Sequence, residues 1–146
     1  MRRRILGALA TAAALAGLVG AAATPASAAS IWIDQDQVLS ITNPKTALSK
    51  DTPAGTVQVR YGTYKGVQYG WGRAVSPTPG YNLIFEVDTD GNRVADRSAW
   101  VKNLSGKTVW TYGHPTSSSS KVAFRACITR HDSCAATNSE HRTGWW

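Results

Sequence analysis

After position 55, apolar and polar residues alternate along the chain with a period of two. In the stretch TVQVRY, Val57, Val59 and Tyr61 point to one side of an extended chain, while Gln58 and Arg60 point to the other. Five further stretches are predicted as strands, and Gly, Pro, Asp or Ser residues separate most of them. The predicted strands cover residues 56–61, 67–75, 81–88, 97–102, 107–112 and 121–128. Because no long stretch has a helical period, the pattern predicts an all-β fold, a small antiparallel sandwich or barrel of about six strands.

The stretch VQYGWGRAV has two different faces. Val67, Tyr69 and Trp71 share one face. Gly70 and Gly72 lie on the opposite face, where the missing side chains leave a strip of backbone that another ring or chain can approach closely. The three large residues are predicted to belong to the core rather than to a binding site.

Residues 29–55 lack this regular alternation. A short apolar alternation around Trp32 is followed by the breaker pairs Asn43-Pro44 and Thr52-Pro53. The segment is therefore predicted to be an extended N-terminal arm that precedes a β domain over residues 56–146. Such an arm can add a strand to the sheet edge of a partner, with Trp32 filling a pocket there. The predicted contact residues of the arm are Ile31, Trp32, Ile33 and Val38.

Residues 1–28 have the organisation of a secretory signal peptide. Residues 2–4 are arginines, residues 5–23 form an Ala-rich apolar region, and residues 26–28 supply small side chains for cleavage. The apolar region contains few large residues and no positive residue follows it, so a retained membrane span is not expected. The mature protein is predicted to be secreted, extracellular and free of the membrane after processing.

The charge of the chain gives little support to a nucleic-acid function. The formal net charge of +7 falls when the three leader arginines are removed with the signal peptide. The remaining basic residues are scattered, which favours a solubilising surface over an anionic partner such as a wall polymer or a nucleic acid. The mature chain is long enough for one domain with one core.

The two cysteines, Cys127 and Cys134, both lie in the mature chain, and export favours a disulfide between them. In the chain-entropy model, closing a loop of this size stabilises a fold by roughly 2.5 kcal/mol. A two-cysteine metal site would need further ligands, and no CxxC or HxxxH pattern supplies them.

The acidic stretch EVDTDGNRVAD is a weak candidate for a structural calcium ion. Gly91 permits the sharp turn that a calcium loop needs. Arg97, however, stands where the helix-loop-helix pattern would have a bidentate glutamate. A hairpin turn with solvated acids is the favoured interpretation, and no metal or cofactor is predicted. The oxygen ligands of the weaker interpretation are Asp88, Asp90, Asn92 and Asp96.

Three histidines, His114, His131 and His141, could serve acid-base catalysis with Glu86 or Asp132 as a partner. All three are expected in loops or in the C-terminal tail, where loop polarity accounts for them. The serine run after Thr116 lacks the glycines of a nucleophile elbow. The sequence therefore predicts no catalytic residues, and the protein is expected not to be an enzyme.

The chain ends in TGWW, although terminal residues are commonly frayed. Because exposing two indole rings to water is unfavourable, Trp145 and Trp146 are expected either to fold back into the core or to form part of an interface. Tyr64, near the turn between two predicted strands, is a further candidate for an aromatic binding surface.

Several stretches carry a resemblance to a group of small secreted actinomycete proteins of β-rich fold. They are VRYGTYKGVQYGWGRAV, YNLIFEVDTDGNRVADRSAWV, the serine loop, and AFRAC with a second cysteine before the WW end. The resemblance covers residues 58–146. The plan of signal peptide, extended arm and disulfide-bonded β domain is also similar to the adaptor subunit of streptomycete umbrella toxin particles. That similarity implies an adaptor between a lectin-bearing subunit and a repeat-containing toxin subunit, with residues near 30–39 inserted into the lectin-bearing partner.

The leading hypothesis is a secreted, non-enzymatic protein-interaction module, with the arm as its contact element. One alternative is a glycan-binding cell-surface module, in which tyrosine and tryptophan faces stack on sugar rings. The other alternative is a small cationic secreted hydrolase or toxin. The expected partners are other secreted proteins rather than nucleic acid.

Overall fold

The computed structural model describes residues 30–146, so the predicted signal peptide lies outside the described residues. The part it describes is nearly all β, with one short α-helix and one turn of 3-10 helix. The strands are β1 (Thr42–Thr52), β2 (Gly55–Tyr64), β3 (Val67–Val75), β4 (Asn82–Asp88), β5 (Arg97–Val101), β6 (Val109–Trp110), β7 (His114–Pro115) and β8 (Ala123–Thr129). The helices are α1 (Gln35–Leu39) and the 3-10 helix Ser139–His141. Neither they nor any other helix within 30–146 has the length and hydropathy needed to cross a bilayer.

The strands form two antiparallel sheets. In the first sheet the order is β1-β2-β3, and β6 and β7 both pair with the far side of β3. In the second sheet the order is β5-β4-β8. The prediction of an all-β antiparallel fold is confirmed, and each of the six predicted strands overlaps an observed strand.

The hydrophobic core lies between the two sheets and is built by alternate residues of their inner faces. Val57 and Val59 of β2 meet Phe85 of β4 and Phe124 of β8, and all four side chains are almost completely buried. Each such side chain contributes about 1.5–3 kcal/mol when it leaves water. Their period of two is the same signal that identified the strands in the sequence.

The faces of β3 are the reverse of the expected arrangement. Gly70 and Gly72 point inward, where an added Cβ on Gly70 would lie 2.8 Å from the Phe124 ring. Trp71 is buried as expected, but on the outer face of the first sheet, in a separate cluster from the main core. The glycines therefore make room for the rings of the facing sheet. Val67, on the same outer face as Trp71, is exposed.

The helix α1 covers Trp71. It begins with a capping box: the Asp34 carboxylate accepts from the Gln37 amide at 2.8 Å, and the Gln37 side chain accepts from the Asp34 amide at 2.9 Å. The helix then places Val38 against Trp71, with Ile41 directly after its C-cap. This short segment has too few residues to show a helical period in the sequence.

The predicted arm over residues 29–55 does not stand apart from the domain. Residues 42–52 form β1, which pairs with β2 along most of its length. Ile33 exchanges two backbone hydrogen bonds with Gly113, at 3.0 and 2.9 Å. Because Ile33 and Val38 are buried against Trp71, the segment gains more from covering its own sheet than from remaining free.

The disulfide between Cys127 and Cys134 is present, with a Cα–Cα distance of 5.6 Å. Both cysteines are buried with Ile84 on the outer face of the second sheet. The C-terminal tail runs along the outer edge of β8, where Trp146 and Phe124 exchange two backbone hydrogen bonds of 2.8 Å. The two ends of the described chain are thus integral to the fold.

Candidate functional site

The sheet edges differ in how the chain covers them. Residues near Ile33 and Gln35 cover the β6 and β7 edge, where the Trp110 indole donates to the Gln35 carbonyl at 3.0 Å. The C-terminal tail covers the β8 edge. Within residues 30–146, β1 and β5 are the edge strands whose outer side no other segment covers in this way. These two edges have unpaired backbone groups with which a partner can form hydrogen bonds.

The β1 edge carries features that hinder pairing with another strand. Its register with β2 shifts twice, between Thr42 and Lys45 and between Thr46 and Leu48. Pro44 removes an amide donor from the same strand. Bulges, proline and lysine are the usual means by which natural sheets protect an edge. The β5 edge is therefore the more accessible one.

A hollow of about 360 Å³ lies at the β5 edge. We call it the β5 hollow, and its lining residues are Ser30, Trp32, Ser98, Ala99, Trp100 and Tyr112. Ala99 pairs with Phe85 on the inner face of the second sheet, whereas Trp100 pairs with Ile84 on the outer face. The hollow therefore reaches both faces of β5 and presents aromatic side chains on each.

Trp32 is fixed in place on one side of the hollow. Its ring meets Phe85 edge-on at a centroid distance of 6.4 Å and His114 at 4.9 Å. Its backbone amide donates to the Ser30 hydroxyl at 3.2 Å. Trp32 is half-buried against its own domain, and its remaining surface forms a wall that a partner can contact.

His114 links Trp32 to β5. Its Nε2 lies 3.0 Å from Nη1 of Arg97, and its Nδ1 lies 2.8 Å from the carbonyl of Pro115. Because arginine can only donate, Nε2 must accept and the proton must sit on Nδ1. Burial lowers the pKa of His114, and the positive charge of Arg97 lowers it further, against a raising effect of the Pro115 carbonyl. His114 is therefore neutral at physiological pH.

The structure distributes the predicted binding residues over three places. Trp32 lines the β5 hollow, and Ile31 beside it in the chain is exposed. The other residues lie elsewhere: Ile33, Val38 and Tyr64 belong to the cluster around Trp71, and Trp145 and Trp146 lie along β8. Trp100 and Tyr112 were missed as binding residues. Both residues lie in stretches that the sequence predicts as strands, but the sequence alone does not show that β5 is at the edge of its sheet.

The predicted calcium ligands lie in one ordered loop. Carboxylate oxygens of Asp88, Asp90 and Asp96 lie within 4.8 Å of one another. Asp88, however, pairs with Arg93 at 2.8 Å and accepts amide hydrogen bonds from Asp90, Gly91 and Arg93. Burial acts to raise the pKa of Asp88, but these hydrogen bonds outweigh it and hold the pKa well below its usual range. The Arg93 guanidinium supplies the positive charge beside this buried carboxylate.

Asn92, the fourth of these residues, holds the tip of the loop. Its amide group donates to the Asp90 carboxylate at 3.1 Å, and its carbonyl accepts from the Val94 amide at 2.7 Å. The second bond, between a side-chain carbonyl and a backbone amide, is typical of tight turns. The loop is held in shape by its own hydrogen bonds.

The carboxylate of Glu86 has a structural partner rather than a histidine. It accepts from Nε of Arg125 at 2.6 Å and from the amide of Cys134 at 2.8 Å, all in buried surroundings. A smaller polar cavity of about 160 Å³ brings His131 and His141 together with Arg130. In that cavity Nδ1 of His141 lies 3.1 Å from the Ile128 carbonyl, and its Nε2 lies 4.0 Å from a carboxylate oxygen of Glu140.

Comparison with models of protein families, with curated proteins and with solved structures found no match to this chain.

Proposed function

We propose that this protein is a secreted, non-enzymatic module that binds an extended segment of another secreted protein along the β5 edge. The observation that supports this proposal is the aromatic hollow of about 360 Å³ beside an open edge strand. Strand addition provides main-chain hydrogen bonds, and pockets for alternate side chains provide specificity. A segment added to β5 would place alternate side chains against Trp32 on one face and against Trp100 on the other.

The aromatic residues of the hollow suit this role energetically. Tryptophan and tyrosine are enriched among the interface residues whose truncation costs about 2 kcal/mol or more. Trp32 is already held by Phe85 and His114, so it loses little conformational entropy when a partner arrives. Tyr112 is about half exposed, at 49%, and has surface left to bury.

Within this proposal, the toxin-particle resemblance suggests the class of partner. A lectin-bearing subunit or a repeat-containing toxin subunit would be the source of the bound segment, and the protein would act as an adaptor between them. The contact differs from the one expected from the sequence. The N-terminal segment supplies the wall of the site through Trp32 instead of inserting into the partner.

Site-specific photo-cross-linking tests the proposal. A photoreactive amino acid is placed at Ser98 on the β5 edge or, as the control, at Ser49 on the β1 edge; both positions are exposed. Each protein is mixed with the secreted proteins of the producing organism. We expect one defined product from position 98, absent from position 49 and lost in the Trp100→Ala background. Equal products from both positions, or a product insensitive to Trp100, would contradict it.

A glycan-binding module is the second candidate, because the same hollow carries three aromatic side chains, Trp32, Trp100 and Tyr112. Exposed aromatic faces are a suitable platform for sugar rings. A glycan array separates the two functions, since a protein-binding module should show no signal there. A signal lost in Trp100→Ala would favour the glycan.

A hydrolase is the third candidate, and it is favoured by the polar cavity that contains His131, His141 and Arg130. The purified protein should be assayed on RNA and on cell-wall polymers. Activity that disappears in His141→Gln but persists in His114→Gln would favour this candidate over a binding module.

A further inference from the structure

A second recess lies on the outer face of the first sheet, away from the β5 hollow. It has a volume of about 210 Å³ and lies between α1 and strands β1 to β3. We call it the arginine groove. Its principal lining residues are Leu39, Pro44, Arg60, Trp71, Arg73 and Trp110. The lining is mainly apolar except for the two guanidinium groups.

The two arginines lie close together without a counter-charge. Arg60 pairs with Trp71 across β2 and β3, and Gln58 pairs with Arg73, so the two arginines are diagonal neighbours on one face. No carboxylate lies within 4.0 Å of either guanidinium among residues 30–146. Two like charges at this spacing repel each other unless an anion lies between them.

Arg60 is only partly satisfied by its surroundings. Its Nη1 donates to the Thr46 hydroxyl at 2.7 Å, and its Nη2 lies 3.4 Å from the Pro44 carbonyl. Its Nε is buried and has no hydrogen-bond partner within the described part of the chain. Burial lowers the pKa of Arg60, and the charge of Arg73 adds to that effect. Nη1 and Nη2 each carry two N–H donors and each has one protein acceptor, so a ligand in the groove that supplies acceptors can bind the remaining donors.

The size and lining of the groove restrict the ligand. A volume of about 210 Å³ is smaller than the sites that hold drug-sized molecules, and it suits one or two side chains. A sulfated polysaccharide or a nucleic acid would need a row of cations along its backbone, whereas this groove offers two.

We propose that the arginine groove binds a short acidic peptide segment. In this arrangement an aspartate or glutamate carboxylate lies against Arg60 and Arg73, and a neighbouring bulky apolar side chain packs between Leu39 and Trp110. Charge-assisted hydrogen bonds from guanidinium groups to a carboxylate are among the stronger polar contacts in proteins. This site is separate from the β5 hollow, and each can fail without the other.

Two synthetic hexapeptides test the proposal: Gly-Ser-Asp-Leu-Ser-Gly and the same sequence with Asn in place of Asp, both with blocked ends. Binding is followed by NMR, with the indole N–H of Trp110 as the reporter. We expect the Asp peptide to shift this signal and to bind about tenfold more tightly than the Asn peptide. The indole N–H of Trp100, at the β5 hollow, should not move.

Substitutions in the arginine groove test whether the shift of the Trp110 indole N–H reports binding there. Arg73→Gln and Leu39→Glu should each weaken binding of the Asp peptide about tenfold, the first by removing a donor and the second by adding a repelling charge. Leu39 is 66% exposed, so its substitution leaves the core intact. Lys107→Gln, which removes an exposed charge elsewhere, should leave the affinity unchanged, as should Trp100→Ala.

Several outcomes would overturn the proposal. They are equal binding of the Asp and Asn peptides, undiminished binding by both groove variants, or no shift of Trp110 at millimolar peptide. Inorganic phosphate and a sulfated disaccharide are tested alongside. If either matches the Asp peptide, the groove is a general anion site and the peptide assignment is wrong.

Discussion

The indole of Trp32 lies edge-on against the imidazole of His114, with the ring centroids 4.9 Å apart. His114 in turn accepts a hydrogen bond from Arg97, the first residue of β5. The residue that the sequence predicts as a contact residue of an extended arm is therefore packed against a buried histidine. That contact connects the N-terminal segment to the edge strand at which we place the partner.

Stability should fall in mild acid because of His114. Burial and Arg97 lower its folded-state pKa below the ordinary value of 6.5, so the unfolded chain binds a proton more readily. The stabilising contribution is fully present above pH 6.5 and is lost as the pH falls toward the folded pKa. The free energy of unfolding, measured by urea denaturation from about pH 8 to about pH 5, should therefore slope downward toward acid pH.

The slope should disappear in His114→Gln and persist in His131→Gln, because His114 is buried whereas His131 is exposed. The same pH dependence in the wild-type protein and in His114→Gln would show that another group is responsible.

The buried pair of Glu86 and Arg125 should be sensitive to the loss of one partner. Glu86→Gln leaves the Arg125 charge buried without a counter-ion, and we expect the free energy of unfolding to fall by about 3–5 kcal/mol. Chemical denaturation gives this value directly. Glu140→Gln is the matched control, because Glu140 is exposed, and it should change stability by less than about 0.5 kcal/mol. Similar effects of the two substitutions would contradict the structural role of the pair.

The glycine face of β3 predicts an overpacking effect. Gly70→Ala would bring a methyl group within 2.8 Å of the Phe124 ring, and we expect a loss of about 1–3 kcal/mol. Gly144→Ala is the control, since an added Cβ there meets nothing within 4 Å. Thermal unfolding of both variants measures the difference. A neutral Gly70→Ala would mean that the glycines do not face the core.

Adjacent residues of α1 test whether the N-terminal segment is part of the fold. Val38 is 4% exposed against Trp71, whereas Leu39 is 66% exposed. Val38→Ala should lower the free energy of unfolding by about 2 kcal/mol, and Leu39→Ala should have almost no effect. If both substitutions were neutral in urea unfolding, the segment would be free of the domain, as the sequence alone suggests.

The sequence was a good guide to strands and a poor guide to which side of a strand is buried. Alternation located β2, β3, β4 and β8 because a half-buried strand repeats every two residues. It could not choose between the faces of β3, since rings and glycines both suit a core when the opposite sheet supplies Phe85 and Phe124. That choice depends on the facing sheet, which lies far away in the chain.

The N-terminal segment and the binding residues illustrate a second limit. Near its start β1 contains Asn43, at a positive φ of 53°, followed by Pro44, and its pairing is interrupted by two register shifts, so its sequence has no clean alternation. Trp100 and Tyr112 become candidate contacts only when β5 is known to be an edge. Strand order is set by long-range pairing, which a local pattern does not record.

Amide hydrogen exchange of the protein, alone and with the partner cross-linked at position 98, tests the central claim most directly. Strand addition would hydrogen-bond the open side of β5, so we predict slower exchange within Arg97–Val101 and no change within Thr42–Thr52 of β1. Protection that appears in β1 and leaves β5 unchanged would contradict the assignment of the partner to the β5 edge.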